Sequence, residues 1–144
     1  MSAIWIALAE PASPDDGPQD REDSTSARQE INAGLVALRQ GRFADAEARC
    51  GEVLEHHPYA WRADLCIAEV ALRTGRPAAA VLRYRHVLAR HPASLSARLG
   101  LVQALLQAKE IDAALREIEL AVEHHPGRPE VLIHLGQILD RAER

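Results

Sequence analysis

Seven histidines, two cysteines and 21 carboxylates are the side chains here that could hold a metal or move a proton. His57, His91 and His125 recur at one fixed interval, twice within a His-His-Pro triplet. Zinc needs ligands converging to about 2 Å. Residues one interval apart are separated by roughly two packed helix layers, about 20 Å, so these three do not share an ion. Adjacent histidines such as His56 and His57 point in different directions on a helix. Their chemistry suits a helix C-terminus, where imidazole favours the negative end of the dipole. Cys50 and Cys66 form no CxxC motif and are read as small buried thiols, which suits a reducing compartment. There is no glycine-rich phosphate loop and no HExxH. Carboxylates such as Glu117, Glu119 and Glu123 are spaced for solvated helix exteriors. The residues therefore imply no enzyme, no cofactor and no metal.

The elements that carry these groups are legible in the composition. The sequence is 47% hydrophobic but only 3% aromatic, so its apolar mass is mostly Ala, Leu, Val and Ile. Ala and Leu favour helices, whereas strands favour β-branched and aromatic residues. An all-α fold is expected. The formal net charge is −4, and residues 1–26, with six acids and one base, carry −5 of it. The remainder, at +1, lacks the strong positive charge of a nucleic-acid binder. No apolar run reaches the roughly 18 residues of a membrane span. Met1 to Ala9 is apolar but short and without a basic start, so a cytoplasmic location is expected. A periplasmic or secreted one is the alternative, should this segment be part of a signal sequence.

Residues 10–26 are rich in Pro, Asp and Ser and carry no aliphatic side chain larger than Ala. Such a segment cannot bury enough surface to offset its ordering entropy and is read as a flexible acidic linker. Helical patterning follows. Ser24 or Ser26 can cap a first helix carrying Ile31, Leu35 and Leu38. A second helix runs from about Ala44 to Glu55 and stops before Pro58. The breaks then repeat: Pro58, Pro92 and Pro126 are 34 residues apart, as are Gly41 and Gly75.

In these features the sequence resembles the tetratricopeptide repeat family, whose period is 34 residues. Residues 27–60 match the family pattern with Gly34, Gly41, Phe43, Ala46 and Pro58. Residues 61–94 match with Ala68, Gly75, Ala80, Tyr84 and Pro92. Residues 95–128 match with Leu101, Ala114, Ala121 and Pro126. Pro77 stands in place of the turn aromatic, Lys109 in place of the turn glycine, and Cys50 and Ile118 where Tyr84 supplies an aromatic. The resemblance implies a right-handed α-solenoid of three helix-turn-helix repeats. Residues 129–144 supply one further helix, read as a cap with Arg141, Glu143 and Arg144 on its polar side.

In that family the first helix of each repeat lines a concave groove. The corresponding positions here are Ile31, Leu65, Leu99 and Ile133; Leu35, Glu69 and Gln103; and Leu38, Leu72 and Leu106. They imply an apolar groove for a peptide or amphipathic helix of another protein. One family branch grips C-terminal carboxylates with Lys and Asn in the groove, and this chain lacks that lysine. Residues 61–94 hold six arginines against Asp64 and Glu69, a basic belt that could attract an acidic partner. Ile4, Trp5, Ile6 and Leu8 form a second apolar cluster. A flexible linker reaching about 22 Å would let it dock as an internal pseudo-ligand or a dimerising arm. The function expected is a non-enzymatic protein-interaction module. The alternatives are a secretion-type or assembly chaperone and a regulatory subunit of a separately encoded enzyme.

Overall fold

The computed structural model describes residues 24–143. The expected alternation of helices and tight turns is present: α1 (Ser24–Arg39), α2 (Phe43–His56), α3 (Trp61–Arg73), α4 (Pro77–Arg90), α5 (Leu95–Gln107), α6 (Ile111–His124) and α7 (Pro129–Ala142). Each helix packs on the next, and the first helices also pack directly on one another, α1 on α3, α3 on α5 and α5 on α7. The result is a two-layer stack of antiparallel pairs.

The punctuation of the chain explains where the helices stop. After α1, α3 and α5 the backbone enters the left-handed region at Gly41, Gly75 and Lys109, with φ of 75°, 75° and 63°. Each turn closes with the same two bonds. The amide of Arg42 donates to Ala37 O at 2.9 Å, that of Arg76 to Ala71 O at 2.8 Å and that of Glu110 to Leu105 O at 2.9 Å. The turn residue itself donates to Leu38, Leu72 or Leu106. This pairing satisfies carbonyls that a helix end leaves open. The second helices end on histidine: His57, His91 and His125 donate their amides to Val53, Val87 and Ala121. Pro77 and Pro129 sit in the first turns of α4 and α7, where no amide donor is required. Ser94 caps α5 by accepting from the Ala97 amide at 3.3 Å.

Close helix crossings set the core. Gly34 faces α2 so tightly that a Cβ there would sit 2.6 Å from Cys50 Sγ and 3.5 Å from Ala46 O. A Cβ on Gly100 would run into the Tyr84 ring, which is fully buried between α4 and α5. Ala46, Ala68, Ala71, Ala80, Ala114 and Ala121 are likewise sealed at the other crossings.

The two cysteines require a correction. They are buried as expected but are not free thiols: Cys50 on α2 and Cys66 on α3 are joined by a disulfide. The sequence separation of 16 hid this, because only the packing of consecutive pairs brings α2 and α3 together.

Lys109 marks a testable defect in the repeat. It is the one non-glycine residue at positive φ among those described, and an L-residue pays roughly 1–2 kcal/mol for that conformation. Lys109→Gly is expected to raise unfolding stability by about 1 kcal/mol, read from urea midpoints at unchanged slope.

Candidate functional site

The first-helix layer was the expected partner surface, and its aliphatic residues are not where that expectation needs them. Ile31, Leu35, Leu38, Leu65, Leu99 and Leu106 are all buried, Leu65 at 0% and Leu99 at 2% exposure. Leu72 is half-buried against the same core. Direct packing of α1 on α3, α3 on α5 and α5 on α7 closes over these positions, so they form the seam between repeats instead of a trough. Ile133, on α7, is the exception and is 60% exposed.

Polar groups bridge successive first helices instead. Gln103 Nε2 on α5 donates to Gln137 Oε1 on α7 at 3.1 Å. Gln107 Nε2 donates to Leu72 O at the end of α3 at 3.1 Å. Gln103 is half-buried and Gln107 exposed. Glu69 is buried, with Oε1 accepting from Arg73 Nε at 3.1 Å and Oε2 accepting from the Tyr84 hydroxyl at 3.2 Å. Burial first, and then the nearby Glu69 carboxylate, hold the Tyr84 hydroxyl well above its ordinary pKa, so it remains a donor. At the last turn of each first helix stand Arg39, Arg73, Gln107 and Arg141, all exposed and all at one repeat position. This column escaped the sequence reading, though the 34-residue interval that aligned the aliphatics aligns these residues equally.

The basic belt of residues 61–94 is largely engaged. Asp64, buried at the α3–α4 crossing, accepts from Arg83 Nη1 at 3.0 Å and lies 2.8 Å from His86 Nδ1. Arg76 forks onto Glu47 of α2 at 3.1 and 3.2 Å, and that carboxylate raises the guanidinium's already high pKa. Arg90 lies 4.2 Å over the Tyr59 ring and Arg62 5.0 Å from that of Trp61. Burial of Asp64 and Glu69 was not foreseen; each is held by a partner from the neighbouring turn or helix, as a buried carboxylate must be.

The histidines at the helix ends stay apart, and His91 stacks at 5.0 Å on Trp61. Among the described residues no group of three or more His, Cys, Asp or Glu stands placed to hold a metal ion. No described helix is long and apolar enough to cross a membrane. Ile4, Trp5, Ile6 and Leu8 lie outside the described residues.

Known proteins give the geometry a context. One tetratricopeptide repeat model matches residues 31–85 and another matches residues 71–138. No curated protein matches the chain. Among solved structures, a thermophilic TPR protein of Thermus thermophilus is similar at TM-score 0.75 and 17% identity over 81% of this chain. The first TPR domain of Spaghetti (RPAP3), bound to the HSP90 peptide SRMEEVD, is similar at TM-score 0.78 and 19% identity over 85% of it. The TPR domain of P58(IPK) is similar at TM-score 0.71 and 19% identity over 98%. The chain spans 66% of the Thermus protein and 41% of the P58(IPK) chain, but 97% of the RPAP3 domain. With two helices per 34-residue interval and matches running from residue 31 to residue 138, the chain belongs to the tetratricopeptide repeat family and its fold is an α-solenoid.

Proposed function

We propose that this protein is an interaction module that takes an acidic, extended segment of another protein along its first-helix layer. The observation that carries this reading is the column of Arg39, Arg73, Gln107 and Arg141, exposed at one repeat position, beside the half-open Gln103–Gln137 bridge. With Leu65 and Leu99 sealed, recognition on this face falls to guanidinium and amide groups. Guanidinium groups bind carboxylates by charge-assisted, often bidentate hydrogen bonds. The RPAP3 domain, similar in fold, holds a peptide with three carboxylate side chains, which supports peptide capture as a use of this architecture. The chain has no lysine before Lys109, so a grip of the Lys-and-Asn kind is not the chemistry proposed.

The chaperone reading needs open apolar surface for an aggregation-prone client. On the first helices that surface is confined to Val36 and to the far end of the stack. No observation selects a regulatory subunit. On location, the Cys50–Cys66 bridge supports the periplasmic or secreted alternative over the cytoplasmic one, since disulfides persist in oxidising compartments. Alkylation of the unreduced, denatured protein from its source cells decides this: two blocked cysteines support the oxidising compartment, two modified ones the cytoplasm.

Affinity capture from source cells, compared with the Arg39→Glu/Arg141→Glu variant, tests the function. Both side chains are exposed, so the variant is expected to keep its helical circular dichroism. The partner's recovery should fall about tenfold or more, and wild-type recovery should fall as salt shortens the Debye length from ~10 Å to a few ångström. Equal recovery by both proteins at low salt, undiminished as salt rises, would move recognition to another face.

A further inference from the structure

The two ends of the stack are not equivalent. On each first helix, three positions face the second helix of the same repeat. These are Glu30, Gly34 and Ala37 on α1, Asp64, Ala68 and Ala71 on α3, and Arg98, Val102 and Leu105 on α5. The small and apolar members of each set are buried under α2, α4 and α6. On α7 the same positions are Leu132, Gly136 and Leu139. Here Leu132 is 55% and Leu139 47% exposed, and a Cβ on Gly136 would meet nothing within 4 Å. The inner side of α7 is satisfied, with Val131 and Ile138 buried. No described helix covers the outer stripe, so the cap expected here is apolar on its open side. The opposite end differs: the outer edge of α1 carries exposed Gln29, Asn32 and Val36, where α3 carries buried Ala63, Cys66 and Val70, so its one exposed aliphatic stands beside amides.

We propose that this stripe is a dimerisation surface and that its occupant is α7 of a second copy, packed antiparallel across a two-fold axis through Gly136. The stripe is self-complementary in that arrangement. Leu132 and Leu139 lie on either side of a residue with no side chain, so the helices cross closely at the glycines while Leu132 of each copy packs beside Leu139 of the other. The charges agree. Arg128 and Glu143, both exposed, flank α7 at its two caps in line with the stripe. Antiparallel pairing brings Arg128 of one copy to Glu143 of the other, twice, whereas parallel pairing sets like charges together. The surface also continues the interface that α1 with α2, α3 with α4 and α5 with α6 already make, now closed in trans. A single helix pair buries less than the roughly 800 Å² per partner of a standard interface, so dissociation on the order of micromolar is expected.

Sedimentation equilibrium of the 15.8 kDa chain gives the readout. The wild-type protein is expected to pass from monomer to dimer over roughly 1–100 µM. Leu132→Asp/Leu139→Asp should shift the midpoint at least a hundredfold and leave the helical spectrum intact, since both residues are exposed. Gly136→Cys adds a thiol to a protein whose two native cysteines are bridged and buried, so mild oxidation should cross-link it as a dimer. Removal of residues 1–23 should leave the dimer unchanged. A monomer at every concentration, or a dimer indifferent to the double aspartate variant and lost on removal of residues 1–23, would overturn the proposal.

Discussion

Two helices lie side by side at close range only if one presents almost nothing where they cross, and every layer of this molecule rests on that condition. Gly34 meets Cys50, and Gly100 meets the Tyr84 ring, at distances that leave no room for a Cβ. Buried alanines meet the same need at the other crossings. The benefit extends beyond each pair. When paired helices lie this close, neighbouring first helices also come together, and the aliphatic residues between them lose contact with water. Burying a leucine is worth about 1.5–3 kcal/mol, so Leu38, Leu65, Leu99 and Leu106 tie repeat to repeat. In a solenoid each unit contacts only its neighbours, so this packing, together with the Cys50–Cys66 bridge between the first two units, carries the cohesion of the stack.

The proposed partner surface follows from that sealing. Side chains that hold the stack together are not available to a partner, and what stays open on the first-helix layer, apart from Val36 and the apolar face of α7, is amide and guanidinium chemistry at a regular interval. Buried Asp64 and Glu69 belong to the same logic. Each fixes side chains of an adjacent turn or helix, Arg83 and His86 for the first, Arg73 and Tyr84 for the second. The charge of the second repeat is thereby largely spent on positioning. At the far end α7 is half covered among the described residues, and the stripe around Gly136 lies at the positions that α2, α4 and α6 cover in the earlier pairs.

The fold was legible because prolines and turn residues punctuate the chain at constant intervals. Pro58, Pro92 and Pro126 mark the repeat ends, and even Lys109 takes the left-handed conformation of the glycine it replaces. The site was less legible, for a geometric reason. Spacing assigns Leu65 and Leu99 to one side of a helix, but whether that side is groove or seam depends on how closely successive first helices approach, and periodicity does not encode that distance. The Cys50–Cys66 bridge was hidden likewise, since it spans a repeat boundary. The α7 stripe was missed because Arg141, Glu143 and Arg144 drew attention to the polar end of a helix whose middle turns are apolar.

The central claim is that the first-helix aliphatics are core, and Leu65→Asp measures it most directly. An unpaired carboxylate at a fully buried position costs several kcal/mol, comparable with the total stability of a domain this size. Thermal unfolding followed by circular dichroism is expected to show the variant without its cooperative transition, or with a midpoint lowered by well over 10 °C. A variant that melts like the wild type would show Leu65 facing water in an open apolar groove, and would contradict this account.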